Sequence, residues 1–224
     1  MINHALRYMP IIDLLPVDCR NLLEVGAGTT GIGAFLQRRF IGCDVVFEHR
    51  PVAPMLPVCS SVLELPFTDA VFDCVIASDM MEHIPPPNRV YALNELLRVA
   101  QHYVIIGFPC GTLALDNDRE LATFYKKTIG VLPSWLEEHL AYGLPEEEWL
   151  EDCLKSTSWQ VISYGNENIE RRIQVLRWES RRFNRAISWE VSRRVPHSLL
   201  SKFAWFMSRY PPYYRRIYLI RRSL

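Results

Sequence analysis

The run Leu22-Leu23-Glu24-Val25-Gly26-Ala27-Gly28-Thr29-Thr30-Gly31 constrains the chain more than any other stretch. A short apolar strand, residues 21–25, stops abruptly in glycines, and residues 31–40 resume with helical spacing through Ile32, Phe35 and Leu36. Glycines at a strand-to-helix turn permit tight backbone geometry and close approach of a ligand to the main chain. Further strands are expected at 40–44, 71–77 and 103–108. Asn88 is placed to cap a helix running to about Ala100, with Val90, Leu93, Leu96 and Leu97 on one face. The continuous apolar run 71–77 is of the kind buried on both faces of a parallel sheet. Strand and helix alternating over residues 21–108 argue for such a sheet.

Around this centre the pattern is less regular. Residues 1–15 read as a short helix ended by Pro16, and Pro51, Pro54 and Pro57 leave no room for a long helix at 50–57. After Pro109 regularity fades until a strand at 158–164. One long helix is expected over 168–195, with Ile169, Ile173, Leu176, Phe183, Ile187 and Val191 in a stripe. A last strand follows at 215–220, after the turn at Pro211 and Pro212. The 224 residues are 49% hydrophobic and 22% charged, enough for one domain with a real core. Neither a bilayer-spanning apolar run nor a signal-peptide core is present, so a cytoplasmic protein is expected. Cys19, Cys43, Cys59, Cys74, Cys110 and Cys153 form no Cys-x-x-Cys pair and read as free thiols.

The formal net charge of zero hides a division. Residues 1–170 hold 11 Lys and Arg against 23 Asp and Glu; residues 171–224 hold 14 against 2. The two parts face different partners or face each other. Arginines mixed with Trp178, Trp189, Phe203, Trp205, Phe206, Tyr213 and Tyr214 fit either a packed helical addition or contact with an anionic membrane surface at the cytoplasmic face. Nucleic acid is not expected, because no recognised binding module precedes the cluster.

Gly26, Gly28 and Gly31 also satisfy Gly-x-Gly-x-x-Gly, with Asp44 eighteen positions after Gly26, as at a dinucleotide site. Glu24 argues against that. A carboxylate about 5 Å from a pyrophosphate, at an effective dielectric of about 20, is repelled by roughly 3 kcal/mol. A cofactor bearing a sulfonium and an ammonium would be attracted instead. Asp44, ending the next strand, suits the two hydroxyls of a ribose.

Four further segments follow in order: Leu65-Pro66-Phe67, Val71-Phe72-Asp73-Cys74-Val75-Ile76, Met81-Glu82-His83-Ile84 and Asn94-Glu95-Leu96-Leu97-Arg98-Val99. With the glycine turn they resemble the class I S-adenosylmethionine-dependent methyltransferases, type 11 subgroup, over about residues 20–110. The resemblance implies an α/β fold: a Rossmann-like, doubly wound, mostly parallel seven-stranded sheet with helices on both faces and an antiparallel last strand. It implies a single domain, with additions at about 110–157 on the substrate side and a basic helical segment at about 168–210. It implies S-adenosylmethionine as cofactor, held by Glu24, Gly26, Ala27 and Gly28, by Asp44 at the ribose, by Ser61 and Val62 at adenine, and by Ser78 and Asp79 at the methionine part. The chain departs from the family where Thr30 replaces a third close glycine and Ser61 replaces the usual adenine-contacting Asp. Residues 106–111 and 135–145 resemble a bacterial subgroup associated with surface-polysaccharide assembly.

Methyl transfer to a hydroxyl needs a base near the operating pH, and histidine is the usual choice. His83 follows the 71–77 strand beside the expected cofactor pocket, and His139 lies in the segment expected to cover the substrate side. Each has a structural alternative: His83 as packing before Pro85, His139 as a solvated helix residue beside Glu137 and Glu138. Glu82 and Asp79 are weaker candidates, His4, His49, His102 and His197 have no supporting context, and no metal-ligand spacing is found. Phe124, Tyr125, Trp135 and Tyr142 are suited either to stacking on sugar rings or to lid packing. The expected reaction is O-methylation of a sugar or glycan hydroxyl, lipid-linked in one version. The alternatives are a quinone-like or other small acceptor, or a non-catalytic S-adenosylmethionine-binding partner protein.

Overall fold

The computed structural model describes residues 2–223. In chain order the elements are α1 (Ile2–Asp13), β1 (Leu22–Val25), β2 (Phe40–Asp44), β3 (Met55–Cys59), β4 (Phe72–Ser78), α2 (Arg89–Val99), β5 (Ala100–Pro109), α3 (Gly111–Thr128), α4 (Ser134–Tyr142), α5 (Trp149–Leu154), β6 (Trp159–Asn168), α6 (Ile169–Glu179), α7 (Arg182–Arg194), α8 (His197–Met207) and β7 (Tyr213–Arg222). One seven-stranded sheet has the order β3-β2-β1-β4-β5-β7-β6. The strands from β3 to β5 pair in parallel, while β7 runs antiparallel to both β5 and β6.

Strand periodicity builds a core on each face, because successive side chains point to opposite sides. On β4, Val75 and Ala77 join Leu23, Val25, Val104 and Ile106 beneath Leu93, Leu96 and Leu97 of α2. Cys74 and Ile76 point the other way, with Leu22, Ile105 and Ile217 against Tyr8 and Ile11 of α1. The other side of α1 buries Ala5, Leu6 and Met9 against Leu200, Ala204 and Met207 of α8. Helix α8 of the C-terminal addition therefore packs chiefly on α1.

Three expectations need correction. The helix expected over 31–40 shrinks to a 3-10 turn, Gly31–Ala34. Two of its four residues are glycine, each costing about 1 kcal/mol against alanine in a helix, and Gly31 is left-handed at φ +50°. The long helix expected over 168–195 is two helices. Asn168 caps α6 by accepting from the Arg171 amide at 3.1 Å, and Arg181 turns extended (ψ 129°) before α7. Strand β3 was hidden by prolines. Pro57 pairs with Gly42 on an edge strand, where a missing N–H is tolerated.

The charge division is resolved partly within the molecule. Arg215 pairs with Asp79 and Glu167, Arg216 with Glu147, Arg177 with Glu120 and Arg172 with Asp118. Elsewhere in the basic segment Phe183 of α7 and Trp205 of α8 stay at the surface, 75% and 65% exposed. Among the described residues no helix is long and apolar enough to cross a membrane.

Candidate functional site

The glycine turn is tied to β2: the Gly26 and Ala27 amides donate to the Cys43 carbonyl at 2.8 and 3.1 Å. Gly26 and Gly28 are both left-handed, at φ +75° and +54°. A Cβ on Gly26 would meet Met80 at 2.8 Å, whereas Gly28 faces open space. The Gly28 amide donates to Asp44 Oδ2 at 2.8 Å, which places the carboxylate beside that space. Only the Val46 amide, at 3.5 Å, approaches the other oxygen. After β3, the Ser60 amide donates to the Asp44 carbonyl at 2.9 Å and brings Ser61 and Val62 alongside. Ser61 Oγ accepts from the Leu63 amide at 3.1 Å, and Val62 is buried. Ser78 ends β4 with its Oγ buried and without a hydrogen-bond partner among the described residues.

Glu24 sits differently from expectation. Its side chain turns inward instead of presenting a carboxylate to the loop. Oε1 accepts from Tyr8 at 2.6 Å and Oε2 from the Ile32 amide at 2.8 Å, and the residue is fully buried. A Cβ on Gly31 would lie 2.2 Å from Oε2, so that glycine is needed for Glu24 to close the turn. Burial pushes the Glu24 carboxyl up from 4.5 to about 7, against the opposing hydrogen bonds from Tyr8 and Ile32. The folded state then binds this proton more tightly than the unfolded state, so the contribution to stability falls as pH rises from about 4.5 to about 7. Glu24→Gln is expected to gain about 3 kcal/mol over wild type between about pH 5 and about pH 8 in urea unfolding. Identical pH slopes for the two proteins would refute this.

A chain of contacts leads from the loop to a second centre. Arg7 Nη2 donates to the Tyr8 hydroxyl at 3.3 Å, and Arg7 Nη1 donates to Asp79 Oδ2 at 3.3 Å. Asp79, expected at the cofactor's methionine part, is left-handed (φ 49°) and its carboxylate is already claimed. Arg215 grips it with Nε at 2.5 Å and Nη2 at 2.6 Å. Burial alone would raise the Asp79 carboxyl, but Arg215 and Arg7 outweigh it and hold it at about 2. Contacts from this position to a cofactor therefore fall to the backbone and to Ser78.

Both candidate histidines lie at this second centre, with ring centroids 5.0 Å apart. His139 is buried rather than solvated, and its Nδ1 lies 2.8 Å from Asp118 Oδ2. Tyr214 donates to the same carboxylate at 3.0 and 3.1 Å. His83 Nδ1 lies 2.6 Å from Glu138 Oε2. Burial, then the neighbouring His139, lowers the His83 imidazole below its usual range. Burial, then Asp79, raises the Glu82 carboxyl well above its own. A cavity of about 250 Å³ opens here, walled by Arg7, Asp79, Glu82, His83, Trp135 and His139, among others. Of the four aromatics considered for sugar stacking, Trp135 alone lines it, edge-on to His139 at 5.2 Å. Phe124 and Tyr125 pack with α3 and α4, and Tyr142 is exposed.

Sequence reasoning missed Tyr8, Arg7, Asp118, Arg172, Tyr214 and Arg215, because no spacing rule joins residues from α1, α3, α6 and β7. His4 was also passed over, although its Nε2 lies 3.2 Å from the Gly31 carbonyl. Burial, then Arg7, lowers that imidazole to about 3, so it is neutral and donates to the carbonyl.

This strand order, with one reversed strand and a glycine turn after β1, is the fold of the class I S-adenosylmethionine-dependent methyltransferases. The family described as a methyltransferase domain, type 11, matches residues 23–106. No curated protein sequence matches the chain. Among solved structures, a phosphoethanolamine N-methyltransferase 2 of Haemonchus contortus, in complex with phosphomonomethylethanolamine and S-adenosylhomocysteine, is 16% identical with a TM-score of 0.56. The alignment covers 99% of this chain but only 52% of that one, so the chain spans about half its length. An S-adenosylmethionine-dependent methyltransferase of Archaeoglobus fulgidus is 16% identical with a TM-score of 0.55, covering 100% and 95%. The magnesium protoporphyrin IX methyltransferase of Synechocystis, with bound S-adenosylhomocysteine, is 16% identical with a TM-score of 0.52, covering 99% and 82%. At these identities the likeness is one of fold. Residues 23–106, which hold nearly all of the first five strands, thus match a methyltransferase-domain model, and the fold is one that binds S-adenosylhomocysteine in two of these neighbours. The open face of Gly28, the Asp44 carboxylate beside it and the unpartnered Ser78 hydroxyl suit that group.

Proposed function

We propose that the chain methylates a hydroxyl of a sugar or glycan-type acceptor, with S-adenosylmethionine as donor. The bound cofactor supplies a methyl carbon already activated by its sulfonium. In this reading the turn of Gly26, Ala27 and Gly28 lies against the cofactor, its open face at Gly28 giving room, and the Ser78 hydroxyl and the Asp79 carbonyl hold the methionine part. Asp44 takes the ribose, Ser61 and Val62 take adenine, and Glu24 keeps the loop closed. The protein must align the acceptor, a contribution of about 7–11 kcal/mol in well-oriented reactions, and remove its proton. The observation that carries the proposal is the convergence of His83 and His139 on one cavity, with Trp135 as an apolar wall for a sugar ring. The exposed aromatics of α7 and α8, among them Phe183, Trp205 and Phe206, together with the exposed Arg185 and Arg194, favour a lipid-linked form of the acceptor, met at an anionic membrane surface.

A smaller acceptor, such as a quinone-like molecule, is the second reading. The cavity of about 250 Å³ supports it, because drug-sized ligands occupy roughly 300–1,000 Å³. Incubation with methyl-labelled cofactor and fractionated cell envelope separates the two. Label in lipid-linked or free glycans supports the glycan hydroxyl. Label confined to small lipophilic products transfers the assignment to the second reading, and label confined to protein or RNA overturns both.

A further inference from the structure

We propose that Glu82, His83 and His139 form a binding site for a divalent first-row transition-metal ion. One donor atom from each lies within 4.8 Å of the others. His139 Nε2 and His83 Nε2 stand 3.8 and 4.0 Å from Glu82 Oε1. Both Glu82 oxygens and His139 Nε2 are buried and lack a hydrogen-bond partner among the described residues. Glu82 is 1% exposed and His139 is 3% exposed. Buried polar atoms without partners are costly, and Glu82 Oε1 and His139 Nε2, unpartnered and 3.8 Å apart, call for a cation between them.

The outer contacts set the tautomers. A carboxylate accepts only, so each Nδ1 that meets one carries the hydrogen: His139 toward Asp118 and His83 toward Glu138. Each Nε2 is then left with a lone pair directed inward. This carboxylate–histidine arrangement is the one that orients imidazoles for metals. Tyr214 and Arg172 steady Asp118 in turn. Three arginines border the same cavity, but each is engaged: Arg7 and Arg215 by Asp79, and Arg172 by Asn117. Two imidazoles and one carboxylate suit zinc, manganese, iron or cobalt. Tetrahedral bonds of about 2.0–2.1 Å set donors roughly 3.3 Å apart, so the donor pairs, now 3.8 to 4.8 Å apart, need to close in by about 0.5–1.5 Å. The adjoining cavity leaves room for another ligand on the ion. If the acceptor hydroxyl occupies that position, an extension that rests on the methyl-transfer reading, the ion's charge eases loss of its proton and the histidines hold the metal rather than the proton.

Binding is measured without cofactor or acceptor, so its outcome is independent of the methyl-transfer reading. The full chain, stripped with chelator, is titrated with Zn²⁺ by calorimetry and with Co²⁺ by visible absorption. One ion per chain with micromolar or tighter affinity is expected, with the absorption of nitrogen- and oxygen-bound cobalt. Glu82→Gln and His83→Ala should abolish the site. Glu138→Gln, at a partly exposed position outside the coordinating set, should weaken it about 10–100-fold with the fold intact. Failure of the wild-type chain to take up either ion, or undiminished affinity in all three variants, overturns the proposal.

Discussion

Replacing Asp79 with alanine is expected to destabilise the chain by about 3–5 kcal/mol, measured by urea unfolding at neutral pH. Asp79 is the only acid that touches both Arg7 and Arg215 among the ion pairs of the described residues. Arg215 is 3% exposed at its side chain and sits on β7 within the sheet, so it is poorly solvated. Without Asp79 it keeps Glu167 at 3.0 Å but loses a two-pronged carboxylate, and Arg7 loses its only acid. The penalty is that of an uncompensated buried charge rather than of a lost contact. Asp79→Ala combined with Arg215→Met should not restore stability, because the buried Glu167 then loses its nearest cation, 3.0 Å away in the wild type. A loss of less than about 1 kcal/mol in the single variant would show that water reaches the arginines and that the network is weakly coupled.

On the reading in which His139 takes the acceptor's proton, His139→Ala is expected to lower kcat by about 10²–10⁴-fold, the range for losing a positioned proton-transfer group. Cofactor affinity should be unchanged, because Gly28 and Asp44 hold each other at the far end of the Glu24–Tyr8–Arg7–Asp79 chain. The split matters because a structural histidine would move stability and cofactor affinity along with turnover. His139 anchors α4 to α3 through Asp118, so thermal melting must accompany the kinetics. Wild-type turnover in a folded variant would remove His139 from the chemistry.

The parts that were legible in the sequence are those written in consecutive residues. The glycine turn, the apolar run of β4 and the stripe of α2 each carry their period within a dozen positions. Strand β3 was not legible, because Pro57 contradicts strand propensity and only its edge position excuses it. Helices α3 and α4 were obscure for another reason. Their buried residues, Leu121, Ala122 and Leu136, pack against Ile173 and Leu176 of α6 rather than against the sheet. The acid–histidine centre was only half visible. His83 and His139 stood out as residue types, but Asp118, Tyr214 and Arg215 gain meaning only from the antiparallel return of β7. Glu24 shows the reverse case: the residue was noticed, yet its inward turn depends on Tyr8, sixteen positions earlier.

The placement of β7 between β5 and β6 bears on how the protein is made. During synthesis, β5 and β6 leave the ribosome first, each with a bare rim that only residues 213–222 can cover. Until they arrive, the nascent chain is open to wrong pairing with its neighbours, the hazard of any unmatched rim. The same late insertion delivers Arg215 to Asp79, so protection from aggregation and assembly of the charged centre come as one event.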